Sequence, residues 1–474
     1  MLVRAFSSAL VVALLPAAAV AQGAPAMPTA PVMSTTPAAP VERPAFEALR
    51  YREDWSRPPQ SDLFDPLKHI ALGDAAWLSI GGHLRARAER DDNFLGGGAG
   101  TRTDNFGLLR THLHFDLHMG AHFRTFVEGR IATARGRDLP GGIRAIDRDD
   151  ADFNNAFVEA NALPFAGMQW AVRVGRQEVL FGRERIVSLL DWVNTRRAFQ
   201  GAVIEGLAGE YTLTAFATHP VTVVPDDMNV PDVHTAFWGA QLSVAPRGRP
   251  RATDLYLLVK ATDASGATPY TQRVTAGARV VAAIPDTRFS YELEGGAQFG
   301  ATGNTAIAAY MLATDLTASW TGRWAPSLTL GADYSSGTGS GAAAQTGTWD
   351  QLYPTGHAFL GFADVLGRRN VIEERVVAQA SATSTVRLRA SLHAFQRAST
   401  SDAIYDVAQG ILRASGVSSA GEIGGEADLT ALWRIGRHLR LEGGVSRFDP
   451  GAFFRETGAA LPYTWGFFSV TATF

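Results

Sequence analysis

From residue 76 onward the sequence repeats one pattern, in which apolar and polar side chains alternate for about ten residues before Gly, Pro, Asn or Asp interrupts them. In the first such segment Leu78, Ile80 and Leu84 share one face, while His83 and Arg85 share the other. Successive side chains of a strand point to opposite faces. The pattern therefore predicts an all-β fold whose two strand faces meet different environments.

Eighteen segments of this kind can be distinguished. They are predicted to start near residues 79, 105, 122, 152, 168, 199, 210, 234, 253, 272, 287, 308, 326, 371, 385, 421, 437 and 464. Every second connection is tight, as at Gly120-Ala121 and Gly436-Arg437, whereas most of the others are long, as at 179–198 and 337–370. Short periplasmic turns alternating with longer outer loops are typical of outer-membrane barrels. We therefore predict a closed antiparallel transmembrane β-barrel of about 18 strands in the outer membrane of a Gram-negative bacterium.

The N-terminal part of the chain predicts export. One base, Arg4, precedes the apolar stretch 9–15, and the small-residue triplet 19–21 follows, so we expect residues 1–21 to be a cleaved signal peptide. A membrane anchor would need about 20 apolar residues. Residues 22–75 are expected to form an Ala/Pro-rich leader and a periplasmic approach segment, and residues 76–474 the barrel.

Charge and hydropathy exclude two other classes of protein. The chain has 43 Lys and Arg against 46 Asp and Glu, without the basic surplus of a nucleic-acid-binding protein. After residue 21 no run of about 18 apolar residues occurs, which excludes a helical membrane protein.

Aromatic residues near the segment ends predict two girdles at the bilayer interfaces. Those beside the tight turns are Trp77, Trp170, Tyr211, Trp320 and Trp433. Those near the opposite ends are Phe106, Trp238, Tyr310 and Trp465. The final segment, 468–474, alternates and ends on Phe474, which resembles the signal that the barrel-assembly machinery recognises. We expect that machinery and outer-membrane lipids to be partners.

If the apolar faces meet lipid, the polar faces line a wet lumen. The candidate conduit residues are Arg85, Arg87, Arg110, Arg124, Glu128, Arg130, Glu159, Arg173, Arg176, Gln177, Arg183, Asp191, Arg197, Arg279, Arg375, Arg387 and Arg389. Arginine binds carboxylates through two parallel hydrogen bonds, so these side chains could pass an anionic solute from site to site. They could equally brace the wall by pairing with its acids. Both interpretations stay open.

The stretch 173–201 is the most densely charged, and it carries a family resemblance. Its Gly175-Arg176-Gln177, Asp191-Trp192 and Phe199-Gln200-Gly201 resemble the alginate export porin family. Further matching patches are 353–361 with Asp364, and 425–428 with 448–451, so the resemblance covers nearly all of 76–474. The resemblance implies an eighteen-stranded barrel with an arginine-lined conduit for an anionic polysaccharide such as alginate. A loop and a periplasmic turn would act as gates, and Arg176, Gln177, Asp191 and Arg197 would belong to the constriction.

Other constellations are weaker. Asp147, Asp149 and Asp152 could hold Ca²⁺, although a solvated acidic loop explains them as well. The strand-face group His112, His114 and His118 could similarly present nitrogens to a metal, but has no adjacent Cys. No Gly-x-Ser-x-Gly elbow occurs.

The sequence thus predicts an outer-membrane porin, without cofactor or metal, that conducts an anionic polysaccharide or another polar anionic solute. Periplasmic polysaccharide export machinery is a further expected partner. The alternatives are a general or uptake porin for small organic anions or oligosaccharides and, in a different class, a barrel enzyme such as a lipase.

Overall fold

A computed structural model describes residues 44–57, 61–97, 103–246, 251–341, 345–416 and 418–474. The predicted signal peptide and the leader up to residue 43 lie outside the described residues. Among those that are described, no helix has the length and apolarity needed to cross a bilayer.

Eighteen antiparallel strands, labelled β1 to β18 in chain order, form the molecule. They are β1 (Ala76–Asp92), β2 (Thr103–Met119), β3 (Phe123–Arg135), β4 (Asp149–Phe165), β5 (Met168–Gln177), β6 (Phe199–Ala208), β7 (Tyr211–Thr222), β8 (Thr235–Val244), β9 (Arg251–Thr262), β10 (Thr271–Ala283), β11 (Phe289–Thr302), β12 (Thr305–Ser319), β13 (Ser327–Ser335), β14 (Val371–Ser381), β15 (Val386–Arg397), β16 (Glu422–Ile435), β17 (Leu439–Pro450) and β18 (Tyr463–Thr473). Each strand pairs with its neighbours in the chain, and β1 pairs with both β2 and β18. The sheet is therefore a closed barrel, which confirms the predicted fold class and strand number.

The observed strand starts lie within three residues of the predicted ones. The alternation of short and long connections also holds, with one exception at Gly303-Asn304, a two-residue turn between β11 and β12 at the end that carries the long loops. Alternation of side chains fixes the two faces. Leu84, Leu113 and Leu392 are exposed on the outside of the barrel, and intervening residues such as Arg110 face inward and are buried.

The aromatic girdles are only partly as expected. Trp238, Tyr310, Trp320 and Trp433 lie exposed on the outer face. Tyr211 is exposed as well. Three other strand-end aromatics, Trp77, Phe106 and Trp465, face inward instead, for example with Trp77 stacked on His118 at a centroid distance of 3.9 Å. The assignment of these three to the bilayer interface was wrong. Successive side chains of a strand point alternately to lipid and to the lumen, so an error of one residue in position places a side chain on the opposite face.

Part of the segment before β1 lies inside the barrel. Residues 44–57 pack against the inward faces of the first strands, where Tyr51 contacts Phe126 and Phe157. Residues 61–72 follow at the end of the barrel with the tight turns, where Asp62 lies 2.8 Å from His438. We call the two stretches together the inner segment. The first part of the expected approach segment therefore enters the lumen, and its second part lies at the tight-turn end.

Candidate functional site

The loop between β5 and β6, residues 178–198, folds into the lumen, and we call it the constriction loop. Arg85 on β1 donates hydrogen bonds to the main-chain carbonyls of Asp191 and Val193, each at 2.8 Å. Arg110 on β2 donates to the Asp191 carbonyl at 2.9 Å and pairs with the Asp191 carboxylate at 2.7 Å. Two predicted conduit arginines therefore hold the tip of this loop.

Trp192 sits at that tip between the wall and a second inward loop, residues 345–370. The guanidinium carbon of Arg87 lies 4.0 Å from the centroid of the indole ring, and Arg87 also donates to the Trp192 carbonyl at 2.5 Å. From the second inward loop, His357 stacks on the indole at 3.9 Å with ring planes 10° apart. The two loops therefore meet in the lumen beside β1.

Arg197 joins the two loops at a second place. Its guanidinium donates to the carbonyls of Ser188, Tyr353 and Pro354 at 3.1, 2.5 and 3.3 Å. Burial lowers the pKa of Arg197 to about 10, with Tyr353 and Glu184 opposing the shift. This arginine is an anchor, and its donors are already occupied by main-chain oxygens.

Asp191 places a fixed negative charge in the lumen. Enclosure alone would raise its pKa, but Arg110, Arg196 and Arg85 together hold the pKa well below the usual range. About half of the side chain (49%) is nevertheless accessible. The carboxylate is thus ionised at neutral pH and in contact with lumen water.

The constriction loop also reaches the opposite wall. Arg185 is completely buried and pairs with Glu292 on β11 at 2.5 Å and Asp315 on β12 at 2.8 Å. Arg183 pairs with Glu292 at 2.9 Å, but 52% of its side chain is exposed. The loop thus spans the lumen from β1 to β12, and Arg183 keeps donors available to solvent.

Many arginines of the predicted set pair with acids of the wall, Arg87 with Glu89 at 2.6 Å among them. Arg124 binds Asp116 through two hydrogen bonds of 2.6 Å. The other pairs are Arg130 with Asp149, Arg173 with Glu159, Arg279 with Asp254 and Glu292, and Arg375 with Asp315 and Glu373. A buried charge needs such a partner, so these residues brace the barrel wall.

Glu128 is likewise a buried structural residue. Its carboxylate accepts hydrogen bonds from Asn154 and Asn155 at 3.0 and 3.1 Å and lies 3.0 Å from Nδ1 of His112. The predicted acids Glu128 and Glu159 therefore complete hydrogen-bonded networks within the wall.

Arg387 and Arg389 on β15 differ from the paired arginines. Within the described ranges neither makes an ion pair at 4.0 Å or less, and the Arg387 side chain is exposed in the lumen. The guanidinium carbon of Arg389 lies 4.7 Å from the ring centroid of Phe362, in the second inward loop. Together with Arg183, these residues present guanidinium groups with unused donors.

Arg176 and Gln177 do not line open space. Alternation along β5 turns Arg176 to the outer face, where it binds Asp152 at 3.1 Å and the carbonyl of Asn229 at 2.7 Å. Gln177 faces inward but is fully buried and donates to the Gly201 carbonyl at 3.3 Å. The structure therefore does not bring these two residues together with Arg183, Arg387 and Arg389.

The three candidate calcium ligands have arginine partners instead of one another. The pairs are Asp147 with Arg144, Asp149 with Arg130, and Asp152 with Arg176. No cluster of three or more His, Cys, Asp or Glu side chains suited to a metal ion occurs in the described part of the chain. This holds for the predicted His112, His114 and His118 as well.

Several residues that form the site were not among the candidates. Arg185, Trp192 and Arg196 lie in the charged stretch that the sequence identifies, and their charge and aromaticity were the available signals. Tyr51 and Lys68 of the inner segment gave no signal, because nothing local in the sequence shows that their surroundings are the barrel interior.

A closed barrel of eighteen strands with charged residues inside and an inward-folded loop defines a porin-type channel. Solved porins of Pseudomonas aeruginosa share this fold. The chain is similar to OpdK, solved with vanillate, at a TM-score of 0.57 and 12% identity over 85% of this chain and 99% of that one. OccK2 (OpdF), solved with glucuronate, gives 0.54 and 12% over 83% and 97%, and OpdO gives 0.54 and 10% over 83% and 97%.

The particular family follows from the sequence. The family model described as Alginate export matches residues 76–467, so the chain belongs to the alginate export family, as the motifs predicted. A search of curated proteins gives no match. Family and fold together identify an outer-membrane channel of Gram-negative bacteria, and not the barrel enzyme considered as an alternative.

Proposed function

We propose that this barrel conducts an anionic polysaccharide, or another polar anionic solute, along arginines that its own wall leaves unneutralised. The observation that carries the proposal is the division among the lumen arginines. Most are paired with acids or with loop carbonyls, whereas Arg387 and Arg389 have no acidic partner among the described residues. Arg183 is paired with Glu292 but is half exposed, so some of its donors stay available. Spare guanidinium donors can replace the hydration shell of a carboxylate.

The surroundings of these arginines favour weak, reversible binding of a solute over tight binding. Phe362 supports the Arg389 guanidinium from one side, which leaves its edge for a solute. Acids remain close to the route: Asp191 is half exposed and Asp364, 3.1 Å from His357, is partly exposed. Conduction requires binding that is weak enough to release the solute, and such acids would weaken it.

The solutes in two similar structures fit the same chemistry. OpdK was solved with vanillate and OccK2 with glucuronate, and both molecules carry a carboxylate. Family membership favours a polyanionic chain. Small organic anions are the second candidate, because OpdK and OccK2, which were solved with vanillate and glucuronate, have a similar barrel fold.

The proposal is tested by reversal potentials of single channels in planar bilayers under a salt gradient. Arg387→Gln with Arg389→Gln should shift selectivity toward cations, because two fixed positive charges leave the lumen. The matched control is Arg447→Gln, an arginine on the outer face of β17 whose side chain is 54% exposed. Equal selectivity of the double variant and the control would remove these arginines from the conduit.

Blocking experiments separate the two solute classes. Under the first, an oligomeric uronate should interrupt the current in events that lengthen with chain length, and the events should shorten in the double variant. Blocking by monomeric carboxylates alone would favour the second.

Two partners belong to the same proposal. Delivery of the solute by a periplasmic export machinery is tested by co-purification. Barrel insertion directed by Phe474 is tested by Phe474→Ala.

A further inference from the structure

The inner segment is bound to the lumen wall through contacts that do not involve Arg183, Arg387 or Arg389. Tyr51 is almost fully buried, and its ring meets those of Phe126 and Phe157 edge-on, at centroid distances of 5.9 and 5.2 Å. Below it the guanidinium carbon of Arg173 lies 4.4 Å from the ring centroid. An aromatic side chain enclosed on three sides contributes strongly to binding.

The barrel wall also has a small recess at Gly81 that accommodates the charged side chain of Lys68. Lys68 is buried and its ammonium donates to the carbonyl of Ile80 on β1 at 2.8 Å, with the ring of Trp55 5.0 Å away. Gly81 makes room for it, since a Cβ atom at this position would lie 2.6 Å from the ammonium nitrogen. The same Cβ atom would lie 2.6 Å from Nε2 of His114, so any other residue at position 81 would displace both Lys68 and His114.

Arg50 provides another anchor at the seam of the barrel. It donates to the carbonyl of Phe474 at 2.9 Å and to that of Gly82 at 3.2 Å, and it pairs with Glu53 at 2.5 Å. Arg50 and Glu53 are both buried. A buried pair of this kind is costly unless its hydrogen bonds are complete, so the segment is held in one defined place.

The same segment touches the constriction loop at three points along the loop. Near its start, the hydroxyl of Tyr51 donates to the carbonyl of Glu178 at 2.9 Å. In its middle, Leu189 belongs to the apolar cluster of Tyr51. Near its end, Arg196 donates to the carbonyl of Ala48 at 2.8 Å.

We propose that the inner segment is an intramolecular ligand of the lumen that positions the constriction loop, and that its docking sets the conductance of the channel. The segment joins β1 at the end of the barrel that carries the tight turns, whereas the loop enters from the opposite end. Release of the segment at the periplasmic end would therefore remove the contacts that support the constriction loop from below. The inference rests on the proposed function only in taking the lumen as the route of conduction.

The first test loosens the docked segment by point substitution in the full-length protein. Tyr51→Ala should raise the unitary conductance and the open-channel noise, because the loop loses its contacts at Glu178 and Leu189. Leu63→Ala is the matched control, since Leu63 belongs to the same segment and is 85% exposed. The heat-induced shift in SDS gels verifies that each variant is a folded barrel. Wild-type conductance and noise in Tyr51→Ala would overturn the proposal.

The second test fastens the segment to the loop. The chain contains no cysteine, so Leu49→Cys with Leu189→Cys introduces a single pair within one apolar cluster. A short cleavable crosslinker between them should abolish the larger openings and reduce the noise, and cleavage should restore both. Unchanged openings after crosslinking would contradict the proposal. Charge selectivity from the same recordings tests the proposed function separately. Docking of the inner segment changes the size of the current, whereas Arg387 and Arg389 determine its preference for anions or cations.

Discussion

The carboxylate of Asp191 lies 2.7 Å from the guanidinium of Arg110, although the two residues are 81 positions apart in the chain. One belongs to the tip of a loop and the other to the barrel wall. Arg110 also donates to the main-chain carbonyls of Asp191 and Val193. The arginine thus holds the loop by its main chain and compensates the charge of its tip with the same group.

This double role predicts the effect of Asp191→Asn. The carbonyl contacts to Arg85 and Arg110 remain, so the loop should keep its place, while the loss of a lumen negative charge should increase anion selectivity. Since the pKa of Asp191 is held well below its usual range, the wild-type charge at this position should persist from about pH 5 to 8. Reversal potentials measure the shift, and an unchanged potential in the variant would contradict it.

The pair of Arg124 and Asp116 should be important for stability. Both side chains are at least nine-tenths buried, and removing one partner of a buried pair costs about 3–5 kcal/mol. Each single variant leaves the other residue with a second partner, since Arg124 retains Glu159 at 3.6 Å and Asp116 retains His118 at 3.2 Å, so both losses should lie toward the lower end of this range. The double variant should recover part of the loss. Urea unfolding of the detergent-solubilised barrel measures these differences.

An exposed pair serves as the control for that cycle. Arg447 and Asp449 lie 3.0 Å apart, and more than half of each side chain is exposed. Exposed pairs contribute about 0–1 kcal/mol, so Arg447→Met should unfold close to the wild-type urea concentration. Similar losses at both sites would show that burial does not distinguish them.

Docking of the inner segment should strengthen as the pH rises above about 8. Burial lowers the pKa of Lys68 to about 8, from 10.5 in the unfolded chain. Between these values the released segment binds more protons than the docked one, so increasing pH favours docking. Open-channel noise should fall over this window in the wild type. Lys68→Met should lack that part of the change, and the same profile in both proteins would contradict the assignment.

Calcium should have no effect on the outer loops. Asp147, Asp149 and Asp152 each have an arginine partner, and a site of paired acids has no unneutralised charge for a divalent cation. Adding Ca²⁺ or a chelator to the purified protein should leave its thermal unfolding temperature unchanged. A rise with Ca²⁺ that Asp149→Asn abolishes would restore the metal hypothesis.

The sequence alone determined the barrel. Alternation of apolar and polar residues is a local property that every segment shows, so it specified the strands, their number and their inward faces. The motifs shared with the alginate export family specified the class of channel. Its errors arose where a single step along a strand matters, as for Trp465 and Arg176, which lie on the faces opposite to those expected.

Only the tertiary structure decided which inward charges are free. Arg185 and Asp315 are 130 positions apart, and Arg85 reaches a loop 106 positions away. No local pattern distinguishes an arginine that meets such a partner, like Arg375, from one that does not, like Arg387. The physical reason is that ion pairs and loop contacts in the lumen depend on barrel closure, which brings distant strands and both inward loops to the same enclosed space.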